Sequence, residues 1–123
     1  MKPKVLVVDD SPTIRAQVVE LLSEEFECVQ AVNGADGLRK IREQRPHAVV
    51  ADLEMPEMDG IGLLRSLRAD PVLSSTPVII LTTVTAVTQV NECRSLGCAG
   101  FVLKPPEKAY LLAKLRQLTR AAA

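Results

Sequence analysis

Short apolar runs alternate along the chain with segments whose apolar residues follow helical spacing. The runs occupy residues 5–8, 26–32, 48–51, 78–81 and 100–103. The first helical segment extends from residue 12 to about 24, and the second follows the run at 26–32 and extends to about residue 44. The other three cover residues 60–68, about 85–96, and the chain from about 107 onward. This alternation predicts five β-strands and five α-helices that follow one another in turn.

The central runs, such as Val-Ile-Ile-Leu at residues 78–81, contain no polar position. A strand of this kind is buried on both faces, which favours a parallel sheet with helices on either side. The 123 residues suit one ordinary domain, and no repeat, low-complexity tract or linker divides them. We therefore expect an α/β fold in a single domain over residues 1–123, with no effector domain in this chain.

Several residues suit the ends of the predicted helices. Ser11 before Pro12 is typical of an N-cap followed by proline in the first helical turn. Gly97 suits the end of the fourth helix. That helix is the least regular one, because its β-branched residues at 85, 87, 88 and 90 lower its helix propensity, so we expect it to pack weakly.

Composition and charge exclude several classes of protein. Hydrophobic residues make up 47% of the chain and charged residues 24%, which is typical of a globular domain. Fifteen basic and fifteen acidic residues balance, so no overall field favours nucleic acid or an anionic membrane. The apolar runs are too short to span a membrane and no secretory leader is visible, so a cytoplasmic location is expected.

The three cysteines and the single histidine give no zinc motif. Cys28, Cys93 and Cys98 show no C-x-x-C spacing, and only His47 is available to join them. We expect reduced thiols that fill the core and an incidental histidine near the start of the third strand.

Candidate site residues follow four of the five predicted strands. Asp9 and Asp10 come after the first strand, Asp52 after the third, Thr82 after the fourth and Lys104 after the fifth. Because ligands of an open parallel sheet bind outside the carboxyl ends of the strands, we expect these side chains to meet at one edge.

Three carboxylates at one edge repel one another unless a cation neutralises them. Magnesium prefers oxygen ligands and commonly joins protein carboxylates to phosphate oxygens, so Mg²⁺ is the expected cofactor. An aspartate carboxylate can attack phosphorus, and Asp52 is the candidate nucleophile. Lys104 and Thr82 are candidates to stabilise charge on the transferred phosphoryl group.

Four segments carry a resemblance to a known family: VLVVDDSPTIR, ADLEMPEMDG, VIILTT and FVLKP. With the spacings of thirty residues from Asp52 to Thr82 and twenty-two from Thr82 to Lys104, the chain resembles the receiver domains of bacterial two-component response regulators over essentially its whole length. The resemblance implies a flavodoxin-like (βα)5 fold with a parallel sheet of strand order 2-1-3-4-5.

The resemblance also implies roles for individual residues. Asp52 would accept a phosphoryl group from a sensor histidine kinase or phosphotransfer protein, with Lys104 joined to Pro105 by a cis peptide bond. The implied Mg²⁺ ligands are Asp10, Asp52 and the backbone carbonyl of Glu54, with Asp9 acting through water.

In such a domain the phosphoryl group draws Thr82 inward and Phe101 rotates into the space, as a shift between two packings. This switch changes the face formed by the fourth helix, fifth strand and fifth helix, which a downstream effector recognises. A phosphorylation-dependent dimer is a further possibility left open. The resemblance implies a domain that catalyses its own phosphorylation and dephosphorylation at Asp52 and is not a turnover enzyme.

Simpler interpretations exist for single residues. Asp9 and Asp10 suit a turn before a helix, and Phe101 on a buried strand suits the core as well as a switch. Tyr110 is expected to be a core or boundary residue. The remaining residues with simple structural roles are Met55 and Met58, expected to pack, and Pro56, Asp59 and Gly60, expected to shape the loop after the third strand.

Three positions depart from the family pattern or tune its chemistry. Thr83 is larger than the family's usual residue, so we expect slow phosphorylation. Glu54 and Val84 flank the phosphoryl site, and because Val84 cannot orient a water molecule, we expect a long-lived acyl phosphate.

Two alternatives to a receiver remain at this stage. Phosphatases with an aspartyl-phosphate intermediate share the acids, threonine and lysine, but their nucleophile lies in a D-x-D segment that Asp9-Asp10-Ser11 does not provide. A receiver-like interaction module without phosphorylation would lose the site, whereas this chain retains its acids, Thr82 and Lys104. The balanced charge predicts no direct nucleic-acid binding by this domain.

Overall fold

The computed structural model describes residues 2–122 and contains a five-stranded parallel sheet with helices on both faces. The elements are β1 (Lys4–Val8), α1 (Pro12–Leu22), β2 (Glu27–Ala31), α2 (Gly34–Gln44), β3 (Ala48–Ala51), α3 (Gly60–Ala69), β4 (Val78–Thr82), α4 (Val87–Ser95), β5 (Gly100–Leu103) and α5 (Lys108–Ala122). The strand order is β2-β1-β3-β4-β5 and every neighbouring pair is parallel. The predicted fold class and strand order are confirmed.

Alternate residues of each central strand enter two separate cores. Leu6 and Val8 of β1 join the core that α2, α3 and α4 cover, which we call the α3-side core. Val5 and Val7 join the core that α1 and α5 cover, the α5-side core. Burial on both faces explains why β3 is entirely apolar and why β1 and β4 each contain four consecutive apolar residues.

The predicted helix ends are largely formed as expected. The Ser11 hydroxyl accepts a hydrogen bond from the Ile14 N–H at 3.3 Å, and Pro12 begins α1. Gly97 has a φ of 74°. The N–H of Gly97 bonds to the carbonyl of Arg94 at 3.0 Å and that of Cys98 to Cys93 at 3.1 Å, which together form a Schellman motif after α4.

Some predicted bounds and one burial prediction are wrong. Helix α1 ends at Leu22 instead of near residue 24, because the chain turns there to bury Phe26. Helix α4 begins at Val87 and not near residue 85, and its N-cap, Ala86, makes no side-chain hydrogen bond to the first turn. Tyr110 is 50% exposed, on the part of α5 that faces away from the α5-side core.

Helix α4 has Cys93 as its single fully buried residue, in line with the weak packing predicted for it. Within residues 2–122, none of the helices combines the length and apolar character that a membrane span requires.

Candidate functional site

Three of the predicted site residues are buried at the carboxyl edge of the sheet. Asp9 is 3% exposed, Asp52 is 8% exposed and Thr82 is fully buried. Among the described residues only Thr119 is a further buried polar residue, and its hydroxyl bonds to the Leu115 carbonyl of its own helix at 2.7 Å. The other three buried polar residues, Asp9, Asp52 and Thr82, therefore all lie at the predicted site.

Lys104 joins two of the carboxylates. Its Nζ donates to Oδ2 of Asp9 at 2.8 Å and to Oδ2 of Asp52 at 3.1 Å. The backbone N–H of Lys104 bonds to the Thr82 carbonyl at 2.9 Å, so the β4–β5 ladder holds the lysine at this edge. The peptide bond between Lys104 and Pro105 is cis, as the resemblance implied.

The electrostatics of the site keep Lys104 charged. Burial acts to lower the pKa of this lysine, but its hydrogen bonds to Asp9 and Asp52 and their negative charges outweigh burial, so the pKa is raised above its ordinary value.

Backbone groups hold the second oxygen of each buried carboxylate. Oδ1 of Asp9 accepts a hydrogen bond from the Ser11 N–H at 2.9 Å, and Oδ1 of Asp52 accepts one from the Leu53 N–H at 2.8 Å. Each carboxylate is thus fixed at one oxygen by the chain and at the other by Lys104. This preorganises the site without a bound ligand.

The third carboxylate, Asp10, is exposed beside the other two. One oxygen from each of Asp9, Asp10 and Asp52 lies within 4.8 Å of the others. With Lys104 as the cation paired with this cluster, two negative charges remain uncompensated. Hard oxygen ligands with this excess charge fit a divalent cation such as Mg²⁺.

A cavity of about 500 Å³ opens beside Asp10. Its lining residues are Asp10, Leu53, Glu54, Met55, Pro56, Asp59 and Gln89. The side chain of Glu54 is exposed, and Glu54 shares the lining of this cavity with Asp10.

Arg15 also contacts the site, although it is not among the predicted site residues. Its Nη1 donates to the backbone carbonyl of Asp9 at 2.6 Å and its Nε to Oε1 of Gln30 at 3.2 Å. The available signal was its position four residues after Ser11, one turn into α1 and therefore still near the strand end.

Thr82 lies on the same face of the sheet as Phe101. It is the last residue of β4, and the earlier expectation that it follows the strand is wrong because β5 pairs with it through Leu103. Ile80, two residues before Thr82, pairs with Phe101, which packs half-buried against the α3-side core. The Thr82 hydroxyl accepts a hydrogen bond from the Val84 N–H at 3.2 Å.

A family model described as the response regulator receiver domain matches residues 5–116. The chain belongs to the response regulator receiver domain family. Domains of this family act in phosphorelay signalling and are typically not turnover enzymes.

Known proteins similar to this receiver domain include longer chains and a solved structure of nearly equal length. It is 39% identical over 113 residues to protein-glutamate methylesterase/protein-glutamine glutaminase 2 of Koribacter versatilis, a match covering 88% of this chain and 30% of the relative. It is 35% identical over 121 residues to the DNA-binding response regulator MtrA of Mycolicibacterium smegmatis, covering 98% of this chain and 52% of MtrA. This chain thus spans about half or less of these relatives.

The solved structure is the chemotaxis protein CheY4 of Vibrio cholerae. It has a TM-score of 0.87 to this receiver domain and is 31% identical, and the match covers 96% of this chain and 99% of CheY4.

Thr83 and Val84, two of the residues expected to tune the chemistry of the site, directly follow Thr82. Thr83 is exposed and shares with Lys104 the lining of a cavity of about 280 Å³ near α1. Val84 is half-buried and packs against the α3-side core. Val84 is thus an apolar residue in the loop between β4 and α4. The effects of Thr83 and Val84 on phosphorylation stay predictions.

The histidine and cysteines lie apart from the acidic cluster. His47 is exposed, and its Nδ1 accepts a hydrogen bond from the N–H of Lys4 at 3.0 Å, at the opposite end of the sheet. All three cysteines are free, with Cys93 buried and Cys28 and Cys98 half-buried.

Proposed function

We propose that this receiver domain accepts a phosphoryl group on Asp52 from a sensor histidine kinase or a phosphotransfer protein. The observation that carries the proposal is the Lys104 ammonium held between the buried carboxylates of Asp9 and Asp52, at 2.8 and 3.1 Å. A cation in this place favours negative charge next to Asp52, which is the charge that a phosphoryl group brings.

The reaction forms a bond between an Oδ atom of Asp52 and phosphorus. The bond between phosphorus and the donor histidine nitrogen breaks, and that nitrogen keeps the electron pair. Lys104 and the Thr82 hydroxyl stabilise charge on the phosphoryl oxygens. The domain therefore catalyses its own labelling, one phosphoryl group per chain.

Asp10, Asp52 and the backbone carbonyl of Glu54 would hold Mg²⁺, with Asp9 acting through water. Their oxygen donors and uncompensated charge support this assignment. When bound, the ion supplies positive charge that aligns the phosphoryl oxygens.

Phosphorylation would act on the face of α4, β5 and α5 through Thr82 and Phe101. These side chains share one face of the sheet, and Phe101 is only partly buried, which leaves it free to change its packing. The phosphoryl group would favour the packing in which Thr82 moves inward. A downstream effector, or a second copy of the chain, would recognise the altered face.

The free cysteines suit a reducing compartment, and we place the domain in the cytoplasm with its donor.

The test is to incubate the protein with acetyl phosphate and Mg²⁺ and to measure the added mass of one phosphoryl group. Asp52→Asn should abolish the label. Asp59→Asn is the matched control, because Asp59 is an exposed acid of the same cavity and asparagine also caps a helix. Retained labelling of Asp52→Asn would contradict the proposal, and repeated turnover of a phosphomonoester would favour a phosphatase.

A further inference from the structure

Two of the three cysteines lie at the end of α4, on the same face of the sheet. Cys93 is fully buried in the α3-side core, and Cys98, five residues later, packs half-buried against that core. Cys28 packs instead against the α5-side core, on the other face. The sheet thus separates Cys28 from the other two thiols.

The Schellman motif after α4 brings Cys93 and Cys98 together. The Cys98 N–H bonds to the Cys93 carbonyl at 3.1 Å. The covalent bonds on either side of this hydrogen bond limit the distance between the two Cα atoms to about 7 Å. Side chains at these two positions of the motif commonly touch. A negative charge on Cys98 also contributes to the raised pKa of Cys93, which agrees with neighbouring sulfur atoms.

Arg68 of α3 holds the turn between the two cysteines. Its Nε donates to the Leu96 carbonyl at 2.8 Å and its Nη2 to the Gly97 carbonyl at 3.1 Å. Its Nη1 donates to the carbonyls of Ser74 and Thr76 at 3.0 and 2.9 Å. One guanidinium therefore fixes the turn to two other parts of the fold, and the cysteines are held at short range before any reaction.

We propose that Cys93 and Cys98 form a reversible oxidation site that closes to a disulfide when the protein meets a peroxide. A disulfide joins Cα atoms that are about 4.4–6.8 Å apart, a distance that this turn allows. Cytosolic disulfides are usually transient and respond to redox conditions. The inference does not rest on the phosphorylation of Asp52.

Cys98 reacts first because its thiol is the more exposed of the two. Its thiolate attacks one oxygen of the peroxide, the O–O bond breaks, and hydrogen peroxide gives a sulfenic acid and hydroxide. The Cys93 thiolate then attacks the Cys98 sulfur, so that the S–S bond forms as the S–O bond breaks and a second hydroxide leaves. The two thiol protons neutralise the hydroxides, and the products are one disulfide and two waters.

The surroundings of Cys98 make this reaction slow at neutral pH. Burial raises the pKa of the Cys98 thiol. The backbone N–H of Gly100 and three cations act in the opposite direction, but burial outweighs them. The cations are Arg94, Arg68 and Lys114. Because the thiolate is the reactive form, the pair stays reduced at low peroxide, and the rate of oxidation should rise about tenfold per pH unit below the pKa.

The experiment treats the full chain with excess hydrogen peroxide, blocks the remaining thiols by alkylation and maps tryptic peptides by mass spectrometry. Trypsin cleaves after Arg94, so Cys93 and Cys98 fall in separate peptides, residues 69–94 and 95–108. We expect the peroxide to link these two peptides and dithiothreitol to separate them again.

Two variants identify the thiols that react. Cys98→Ala should form no link, and Cys28→Ala is the matched control that should form the link at the unaltered rate, since Cys28 is also half-buried. In Cys93→Ala the sulfenic acid of Cys98 has no neighbouring thiol and should be trapped by dimedone. Circular dichroism of each variant checks that the fold is retained.

Thermal unfolding tests whether the disulfide fits the folded turn. A link between residues 93 and 98 closes a short loop in the unfolded chain, so oxidation should raise the Tm by about 5 °C in the unaltered protein and in Cys28→Ala. Oxidised Cys98→Ala should show no rise. A lower Tm of the linked protein would mean that the turn does not match a disulfide, and would overturn the inference.

The mapping can also overturn the inference. Thiols that stay unlinked in excess peroxide at about pH 8.5, where more thiolate is present, would do so. Sulfinic acid at Cys98 in place of the link, a dominant link to Cys28, or Cys93→Ala without a dimedone adduct would do so as well.

Discussion

Replacing Asp10 by asparagine should stabilise the domain when no divalent cation is present. Asp10 is the exposed member of the acidic cluster, whereas Lys104 pairs with Asp9 and Asp52. The Asp10 carboxylate is therefore repelled by the charges of Asp9 and Asp52 and attracted by the charge of Lys104. The net effect is about the repulsion between two unit charges.

The size of this repulsion follows from the spacing of the cluster. Two unit charges at the observed limit of 4.8 Å repel by about 1 kcal/mol at the dielectric constant of water and by about 3.5 kcal/mol at an effective value of 20. Because Asp10 is exposed, the lower figure applies, and Asp10→Asn should raise the free energy of unfolding by about 1 kcal/mol.

Urea unfolding in EDTA measures the stability that Asp10→Asn gains without a divalent cation. Urea unfolding in Mg²⁺ measures the stability that the ion adds to each protein. A ligand at ten times its Kd stabilises a protein by about 1.4 kcal/mol, so the unaltered domain should gain that much from Mg²⁺ and Asp10→Asn should gain far less. Asp59→Asn keeps the helix cap and should retain the Mg²⁺ response. Destabilisation of Asp10→Asn in EDTA, or an unchanged response to Mg²⁺, would refute the reasoning.

Three further predictions concern backbone strain, alkaline pH and the acyl phosphate. Glu57 has a φ of 69°, so Glu57→Gly should stabilise the fold by up to about 1 kcal/mol in urea unfolding, whereas Glu54→Gly should not; equal effects would argue against strain. Burial, with smaller contributions from neighbouring groups, raises the pKa of the Cys93 thiol from 9.0 to about 11. The thiol of the unfolded chain therefore ionises at a lower pH than that of the folded chain, and the free energy of unfolding falls as pH rises through this range. Between pH 8.5 and 10.5 the unaltered protein should lose about 2 kcal/mol more than Cys93→Ala, and parallel losses would exclude this cause. Val84→Glu should shorten the lifetime of the phosphorylated protein, with circular dichroism as the check on folding, and rapid decay of the unaltered protein would contradict the predicted long lifetime.

The sheet was predictable because strands that are buried on both faces consist almost entirely of apolar residues, which are visible as runs in the sequence. The apolar runs at β3 and β5 coincide with the predicted bounds, and β4 differs by the addition of Thr82. The convergence of Asp9, Asp52 and Lys104 was also predictable, since parallel strands carry the residues that follow them to one edge.

Helix ends and surface features were harder to predict because they depend on tertiary contacts. The N-cap of helix α4 is Ala86, which makes no side-chain hydrogen bond to the first turn, so the residue type at this position does not mark the start of the helix. The contact of Arg15 with the Asp9 carbonyl depends on how α1 packs over the strand end. The exposure of Tyr110 depends on which stripe of α5 meets the sheet. The total charge of zero concealed that this same helix is positively charged.

The central claim is that Asp52 carries the phosphoryl group. The most direct measurement is to label the protein with acetyl phosphate and Mg²⁺, reduce the acyl phosphate with borohydride, and locate the modified residue by peptide mass spectrometry. The account predicts a single modified residue, Asp52, and no modification in Asp52→Asn. Modification at another residue, or an unchanged label in Asp52→Asn, would contradict it.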